Sequence, residues 1–360
     1  MATFCFSISA LHLSPVTQDE LFMQRALDLA SLGRGLVSPN PLVGCVIVLG
    51  DRIIGEGWHQ KYGGGHAEVN AVAAVGNKSL LREATVYVNL EPCSHHGKTP
   101  PCVDMLLHHQ VKKVVIGNID TNPLVSGSGI KKIREAGTEV ITGVLQTEGR
   151  ELNKRFFTFM EKNRPYIILK WAETADGYIA HENYESKWIS NDHSRQLAHR
   201  WRSEEDAVMV GTRTAEYDNP TLNVRDWSGR NPVRVVIDRS LRLSGKLNLF
   251  DRSQPTLCYN LLRDEEQGNL AWVRLGKENF IEEMIHNLYQ RKIQSVIVEG
   301  GAQTIESFIK SGRWDEARVF RSSHSFLKGI PAPVLQCHRL SEESIMGDHL
   351  FIFTNTSLKL

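Results

Sequence analysis

His66-Ala67-Glu68 stands directly after a Gly63-Gly64-Gly65 turn, and two cysteines follow at Cys93 and Cys102. One imidazole and two thiolates suit zinc, whose tetrahedral shell then keeps a fourth position for water, the mark of a catalytic rather than a structural site. Zinc brings the pKa of that water to about 7, so hydroxide is available at neutral pH. A carboxylate that is not itself a ligand can carry protons between water, a ring nitrogen and a leaving amine, and Glu68 has the offset for that role. A single buried cysteine is ordinarily just a small apolar residue. It is the order of the three donors, with a strand between them and Glu68 at hand, that points to a metal. His95 and His96, between the cysteines, read as substrate-facing or solvated and stay out of the shell.

The elements that must bring these residues together are read from spacing. Thr17 and Glu20 have the separation of a capping box, and Leu21, Phe22, Ala26 and Leu29 share one face of the helix that follows, which Gly33 closes. The loop Ser38-Pro39-Asn40-Pro41 leads into a strand over 43–48, with 52–55 in hairpin relation. Helix and strand then alternate, with helices at 67–75, 103–109 and 130–136 and strands at 85–90, 113–117 and 138–141. Such alternation predicts an α/β sheet covered by helices on both faces, its chemistry in the loops at the strands' carboxyl ends. The polar, charged stretch 148–164 reads as a linker. Beyond it, strands are expected at 166–171, 207–210, 233–237, 256–259 and 294–298, and helices at 192–202, 279–290 and 304–310. The expected division is an extension over 1–16, a first domain over 17–147, a linker over 148–164 and a second domain over 165–360.

A length of 360 residues suits two domains. Lys and Arg total 42 against 41 Asp and Glu, a net charge of +1, which supplies no field for a polyanion or an acidic membrane surface. A small-molecule substrate is therefore expected, with neither nucleic acid nor membrane as partner. Six cysteines, at 5, 45, 93, 102, 258 and 337, are too sparse and irregular for a disulfide scaffold and point to a reducing, cytoplasmic setting. No apolar run approaches the roughly 18 to 20 residues that span a bilayer. The opening MATFCFSISALHL lacks a basic segment and a small-residue cleavage site, so it reads as a loose extension rather than a signal peptide.

Zinc nucleobase deaminases carry H-x-E followed by P-C-x-x-C. This chain keeps the first half and departs from the second, since eight residues separate Cys93 from Cys102. H-A-E-V-N-A with E-P-C-S-H-H-G-K-T-P-P-C, preceded by S-P-N-P-L-V-G-C-V-I-V and followed by D-T-N-P-L-V-S-G-S-G, resembles the deaminase domain of the bifunctional riboflavin-biosynthesis deaminase/reductases. The resemblance implies a cytidine-deaminase-like three-layer domain. It also implies a substrate pocket lined by Asn40, Lys98, Asp120 and Asn122, with the two asparagines on the pyrimidine edge and Lys98 on the ribose phosphate. Asn-Pro and Asp-x-Asn-Pro are loop formers in any case.

No G-x-G-x-x-G follows a strand in the second half, so an ordinary dinucleotide fold is not indicated. Gly300-Gly301 instead joins an apolar strand to a helix start, where backbone N–H groups can approach a phosphate, although a tight turn also explains such a pair. Leu169 to Gly177, Ser186-Lys187-Trp188-Ile189-Ser190, Asp218-Asn219-Pro220 and Leu222-Asn223-Val224-Arg225 occur in the order of the same family's reductase domain and resemble it. That resemblance implies a dihydrofolate-reductase-like fold, NADPH as hydride donor, a ribityl product and a homo-oligomer. Carried across, Ala172, Trp188, Thr214, Asp218, Gly301, Ala302, Gln303 and Thr304 would hold the cofactor, and Lys170, Ser186, Arg202, Leu222, Arg225 and Glu299 the substrate. The planar donor fork of a guanidinium suits Arg202 or Arg225 to a phosphate. The chain departs from the family's S-L-D-G at Thr174-Ala175-Asp176-Gly177 and again at Ser190-Asn191. An active deaminase joined to a non-catalytic second domain, a zinc deaminase acting on nucleic acid, and a purely structural zinc stay open at this stage.

Overall fold

The computed structural model describes residues 16–94, 100–121, 126–184, 189–337 and 339–355. His95, His96, Lys98, Asn122, Ser186 and Trp188, and residues 1–15 of the expected extension, lie outside the described residues. Two compact units separate. One comprises the described residues of Met1–Leu32, Leu42–Gln60 and Gly64–Leu152; the other comprises Gly33–Pro41, Lys61–Gly63 and the described residues of Asn153–Leu360.

The first unit runs α1 (Gln18–Ser31), β1 (Gly44–Leu49), β2 (Arg52–Trp58), α2 (Ala67–Ala74), β3 (Thr85–Leu90), α3 (Cys102–His108), β4 (Lys113–Asn118), α4 (Ser128–Glu135), β5 (Glu139–Thr142) and α5 (Gln146–Leu152). The capping box forms, with the Glu20 N–H donating to Thr17 Oγ1 at 3.2 Å and the Thr17 N–H to Glu20 Oε2 at 2.8 Å. The strands lie in the order β2-β1-β3-β4-β5; β1 is antiparallel to β2 and β3, whereas β3, β4 and β5 are parallel. Alternation along each strand feeds two cores. Ile47, Val86, Val88, Val114 and Ile116 meet Ala71, Leu106 and Ile133 from α2, α3 and α4. Val46, Val48, Tyr87 and Val115 meet Phe22, Met23, Ala26 and Leu29 from α1 on the opposite face. The result is three layers.

The second unit contains α6 (Lys154–Lys162), β6 (Tyr166–Glu173), β7 (Tyr178–Ala180), α7 (Asp192–Glu204), β8 (Ala207–Gly211), α8 (Thr212–Asp218), β9 (Val233–Ile237), β10 (Thr256–Asn260), β11 (Glu265–Gln267), β12 (Leu270–Arg274), α9 (Phe280–Gln290), β13 (Ser295–Val298), α10 (Ala302–Ser311), β14 (Glu316–Arg321), β15 (Ile330–Pro331), β16 (Arg339–Ile345) and β17 (Asp348–Thr354). Its main sheet has the order β11-β12-β10-β9-β8-β13-β6-β14-β17-β16. The seven strands from β12 to β14 are parallel, and antiparallel strands close both edges. On β6, Ile167, Leu169 and Trp171 enter the core with Met284, Leu288, Ile305 and Phe308, while Tyr166 and Ile168 turn to Ala198 and Trp201.

The stretch 148–164 differs from the expected linker: most of it is helical, in α5 and α6, and the units divide between Leu152 and Asn153. Its many charges suggest a solvated segment, yet Phe156, Phe157 and Phe159 are buried and give α6 an apolar face. Residues 33–41, which carry Asn40, group with the second unit rather than the first.

Gly44 marks the closest approach of α1 to the sheet. A Cβ there would stand 2.0 Å from the Ala26 carbonyl oxygen and 2.7 Å from the Ala30 nitrogen, both backbone atoms. Gly44→Ala is expected to cost about 1–3 kcal/mol by forcing α1 away. Gly76→Ala, where nothing lies within 4 Å of the added carbon, should stay within about 0.5 kcal/mol of wild type. Urea midpoints of the two variants check the difference, and equal midpoints would contradict the tight seam.

Candidate metal centre and cofactor cavity

Because β2 and β3 both run antiparallel to β1, and β4 runs parallel to β3, the carboxyl ends of β2, β3 and β4 share one end of the sheet. His66 follows β2 and is the N-cap residue of α2, Cys93 follows β3, and Cys102 opens α3. The His66 side chain makes no capping bond and turns instead to the sulfurs. Its Nδ1 lies 3.5 Å from Cys93 Sγ and 3.3 Å from Cys102 Sγ. Zinc bonds of about 2.05 Å to nitrogen and about 2.3 Å to sulfur at tetrahedral angles require an N to S edge of about 3.6 Å. The three donors therefore fit zinc with shifts of a few tenths of an ångström. Among the described residues no fourth His, Cys, Asp or Glu joins them. Behind His66, His59 stands edge-on at 5.8 Å, with its Nδ1 3.0 Å from the Gly65 carbonyl oxygen.

A hydrogen bond from Cys102, with His66 beside it, lowers the Cys93 thiol, and the same bond, with burial and the Glu68 charge, raises Cys102. A dication bound there would favour the thiolate form of both. Glu68, in the first turn of α2, is only 3% exposed. Burial, and then the charge on Cys93, pushes its carboxyl up to about 7 against hydrogen bonding and His66, which pull the other way. A carboxyl balanced near neutrality suits transfer of a proton in either direction.

In the second unit a cavity of about 1170 Å³ lies at the carboxyl ends of β6, β8 and β13. Every described residue of the expected cofactor and substrate sets lines it: Lys170, Ala172, Arg202, Thr214, Asp218, Leu222, Arg225, Glu299 and the run from Gly301 to Thr304. Pockets for a single drug-sized ligand measure about 300–1,000 Å³, and this cavity lies above that range. α10 starts beside it with Gly301 as N-cap and no side-chain capping bond. Its first N–H groups suit a diphosphate for that reason.

The charges in this cavity are organised by one ion pair. Arg202 donates from Nε and Nη2 to the two Glu299 oxygens at 2.7 and 2.6 Å, and from Nη1 to the Asn223 carbonyl at 3.2 Å. The guanidinium read as a phosphate ligand is thus committed to a carboxylate. Arg225, with a largely exposed side chain, pairs with Asp226 at 3.6 Å. Burial would raise Glu299, but the Arg202 charge and hydrogen bonds, helped by Lys170 and His199, bring it down to about 2. Burial lowers the Lys170 ammonium and Glu299 opposes it. Burial, followed by the charges of Arg202 and Arg225, lowers His199 to about 4. Its Nδ1 accepts the Arg225 N–H at 3.3 Å, so Nε2 carries the proton and meets Asp226 at 3.2 Å.

Comparison with known proteins covers both units. Residues 16–118 match the family model of the cytidine and deoxycytidylate deaminase zinc-binding region, and residues 165–324 that of the RibD C-terminal domain. The riboflavin biosynthesis protein RibD of Aquifex aeolicus is 42% identical over 351 residues, 93% of this chain and 98% of the relative. The chain belongs to the RibD family. The Escherichia coli RibD is 37% identical over 331 residues, 84% of this chain and 87% of its own. A solved Thermotoga maritima diaminohydroxyphosphoribosylaminopyrimidine deaminase/5-amino-6-(5-phosphoribosylamino)uracil reductase is 39% identical with a TM-score of 0.86, covering 94% of this chain and 98% of that one. An Acinetobacter baumannii RibD structure is 31% identical with a TM-score of 0.86, covering 95% and 99%. As expected for a RibD protein, the first unit is cytidine-deaminase-like and the second has the dihydrofolate-reductase-like fold of the RibD reductase domain.

Of the pyrimidine-pocket residues expected from the RibD resemblance, only Asp120 lies in the first unit and among the described residues. Its N–H donates to Glu91 Oε2 at 3.3 Å. Sequence reading missed Glu91, and its one signal was an acid at the end of an apolar strand. It also missed His199, which bears on both Arg225 and Asp226.

Glu299 yields a pH prediction. Its carboxyl is held at about 2 in the folded chain against an ordinary 4.5. A depressed carboxyl contributes stability above the unfolded value, and that contribution disappears as pH falls through the folded value. The difference in urea midpoint between wild type and Glu299→Gln should narrow from pH 5 towards about 2. A difference that stays constant with pH would contradict the assignment.

Proposed function

We infer that this chain is a bifunctional enzyme of riboflavin biosynthesis. Its first unit deaminates 2,5-diamino-6-(5-phosphoribosylamino)pyrimidin-4-one, and its second reduces the ribosyl group of the resulting uracil to ribityl at the expense of NADPH. The observation that carries the reading is the convergence of His66 Nδ1, Cys93 Sγ and Cys102 Sγ, with buried Glu68 beside them. His66, Cys93 and Cys102 would hold zinc, which when bound supplies Lewis acidity that brings the ionisation of water to about neutral pH. Glu68 takes a proton from the attacking water at its carboxylate oxygen and passes it to the ring nitrogen as the carbon–oxygen bond forms; it then takes the proton of the new hydroxyl and gives it to the amine, which leaves as ammonia when the carbon–nitrogen bond breaks. Asp120, with Asn40, Lys98 and Asn122, makes up the proposed substrate set.

In the second unit NADPH supplies a hydride when bound. The uncapped start of α10 receives its diphosphate, and Ala172, Trp188, Thr214 and Asp218 complete its proposed seat. Arg225 and Ser186 are assigned to the substrate, with Leu222, buried and at φ 51°, as an apolar wall. The Arg202–Glu299 pair fixes two opposite charges next to Lys170, and these groups orient the ribose hydroxyls. A cavity containing every described residue of the expected set favours a working reductase over a non-catalytic second unit. The net charge of +1 gives no support to a nucleic-acid substrate. No described helix is long and apolar enough to cross a membrane. The same reading includes a cytoplasmic homo-oligomer.

Glu68→Gln is expected to retain about one zinc per chain while ammonia release falls by about 10²–10⁴-fold. NADPH oxidation with the deaminated product should continue. Metal analysis and the two assays on one preparation check this. Zinc lost together with activity would make Glu68 part of the metal shell, and a wild type inactive in both assays would sink the functional reading.

A further inference from the structure

The Glu91 carboxylate is 4% exposed and no cation pairs with it among the described residues. Its partners are backbone N–H groups. Oε2 accepts from Asp120 at 3.3 Å and Gly127 at 2.9 Å; Oε1 accepts from Gly129 at 3.0 Å and Ile130 at 3.2 Å. An ionised carboxylate is an acceptor-only group with about four lone-pair directions, and here all four are used. Two of the donors belong to the first turn of α4, whose N-cap, Gly127, offers no side-chain acceptor. Glu91 therefore caps a helix from a strand end that is distant in sequence.

The same seam is tight on either side of Cys93. A Cβ on Gly129 would stand 2.6 Å from the Pro92 carbonyl oxygen and 3.2 Å from Glu91 Oε1, so the α4 backbone lies against residues 91 and 92. Ser94 Oγ lies 2.6 Å from Ser128 Oγ. Hydrogen bonds on both sides of Cys93, from Glu91 and Ser94, thus join the connection bearing a metal donor to the chain after β4.

We propose that Glu91 is a positioning residue of the deaminase half: it holds Asp120 and the 127–130 turn at a fixed separation from Cys93, so that substrate wall and metal shell keep one register. This rests on the reading of the first unit as a deaminase and of Asp120 as part of its pocket. Glu91 does not touch the reacting atoms. Its loss displaces one wall of the pocket while the three metal donors keep their own elements.

The test is Glu91→Gln, which preserves volume but turns an amide NH2 against two backbone N–H groups. Metal content, ammonia release at varied pyrimidine concentration, NADPH oxidation, and hydrogen exchange of the backbone amides are measured on the full chain. Zinc and NADPH oxidation are expected to stay near wild type. KM for the pyrimidine should rise about tenfold or more with a smaller change in kcat. The amides of Gly127, Gly129 and Ile130 should exchange about tenfold faster. Unchanged KM and exchange overturn the proposal, as does loss of zinc with collapse of kcat, which would place Glu91 in support of the metal instead. If Glu91→Gln does not fold, Gly129→Ala strains the same seam and is read in the same way. A wild type that releases no ammonia defeats the deaminase reading, while the exchange measurement still decides whether Glu91 anchors the turn.

Discussion

A tetrahedral zinc tolerates only a few tenths of an ångström in the edges between its donors. In this chain those edges join side chains from two connections, the one from β2 to α2 and the one from β3 to α3, 27 and 36 residues apart in sequence for the two pairs with His66. Loops alone do not hold such tolerances. Each donor therefore sits within a few residues of a regular element: His66 and Cys102 at helix starts and Cys93 just past β3. β3, behind both cysteines, is buried along almost its whole length, whereas β2, behind His66, is partly exposed. The price is paid in polar groups, because strand ends leave backbone donors and acceptors unpaired. Asn89 meets that demand by accepting from the Gly44 N–H at 2.8 Å and donating to the Leu42 carbonyl at 3.0 Å. Asn118 donates to the Gln146 carbonyl at 2.9 Å. With Glu91 they form a buried polar layer directly beneath the site.

The second unit uses ion pairs where the first uses amides. Glu316 on β14 is 3% exposed and pairs with Lys154 at 2.7 Å and Arg318 at 2.6 Å, while Glu205 is held by Arg155. Buried pairs of this kind add little stability over apolar residues of the same size, since desolvation offsets the attraction. What they do impose is geometry: an arginine and a carboxylate locked in two parallel bonds cannot rotate independently. Beside the cavity the Arg202–Glu299 pair uses that property to set two charges of opposite sign on rigid elements, α7 and the end of β13.

Chemistry was easier to read from the chain than architecture. The metal donors are legible because few residue types bind zinc, and because Glu68 stands at a fixed offset from one of them. Helix α1 is legible because burial of one face leaves a periodic trace, and strand β3 because a short apolar run buried on both faces stands out between polar segments. β14 left no such trace: Glu316, Arg318 and Arg321 interrupt its apolar pattern, and only partners far away in sequence make their burial tolerable. β16 is an exposed edge strand with little apolar content and little pattern to find. Arg202 was visible as a cation but not as one half of a pair, since Glu299 lies 97 residues away. Glu91 was hidden for the same reason, its role being defined entirely by N–H groups contributed by another part of the fold.

Two buried glutamates show how far surroundings override residue type. Glu68 and Glu299 are both removed from water, and for each the largest effect of burial is to raise the carboxyl. Near Glu68 the strongest neighbour is another anion, Cys93, and His66 offsets only part of it, so the group settles at about 7. Near Glu299 a guanidinium supplies both charge and two hydrogen bonds, and the group settles at about 2. The first carboxyl is balanced between opposing neighbours, whereas the second is held as a charge by its guanidinium. That contrast separates a proton carrier from an electrostatic fixture. It also agrees with the chemistry assigned to each unit, since deamination must move protons on and off a ring, whereas hydride transfer needs a substrate held still beside its donor.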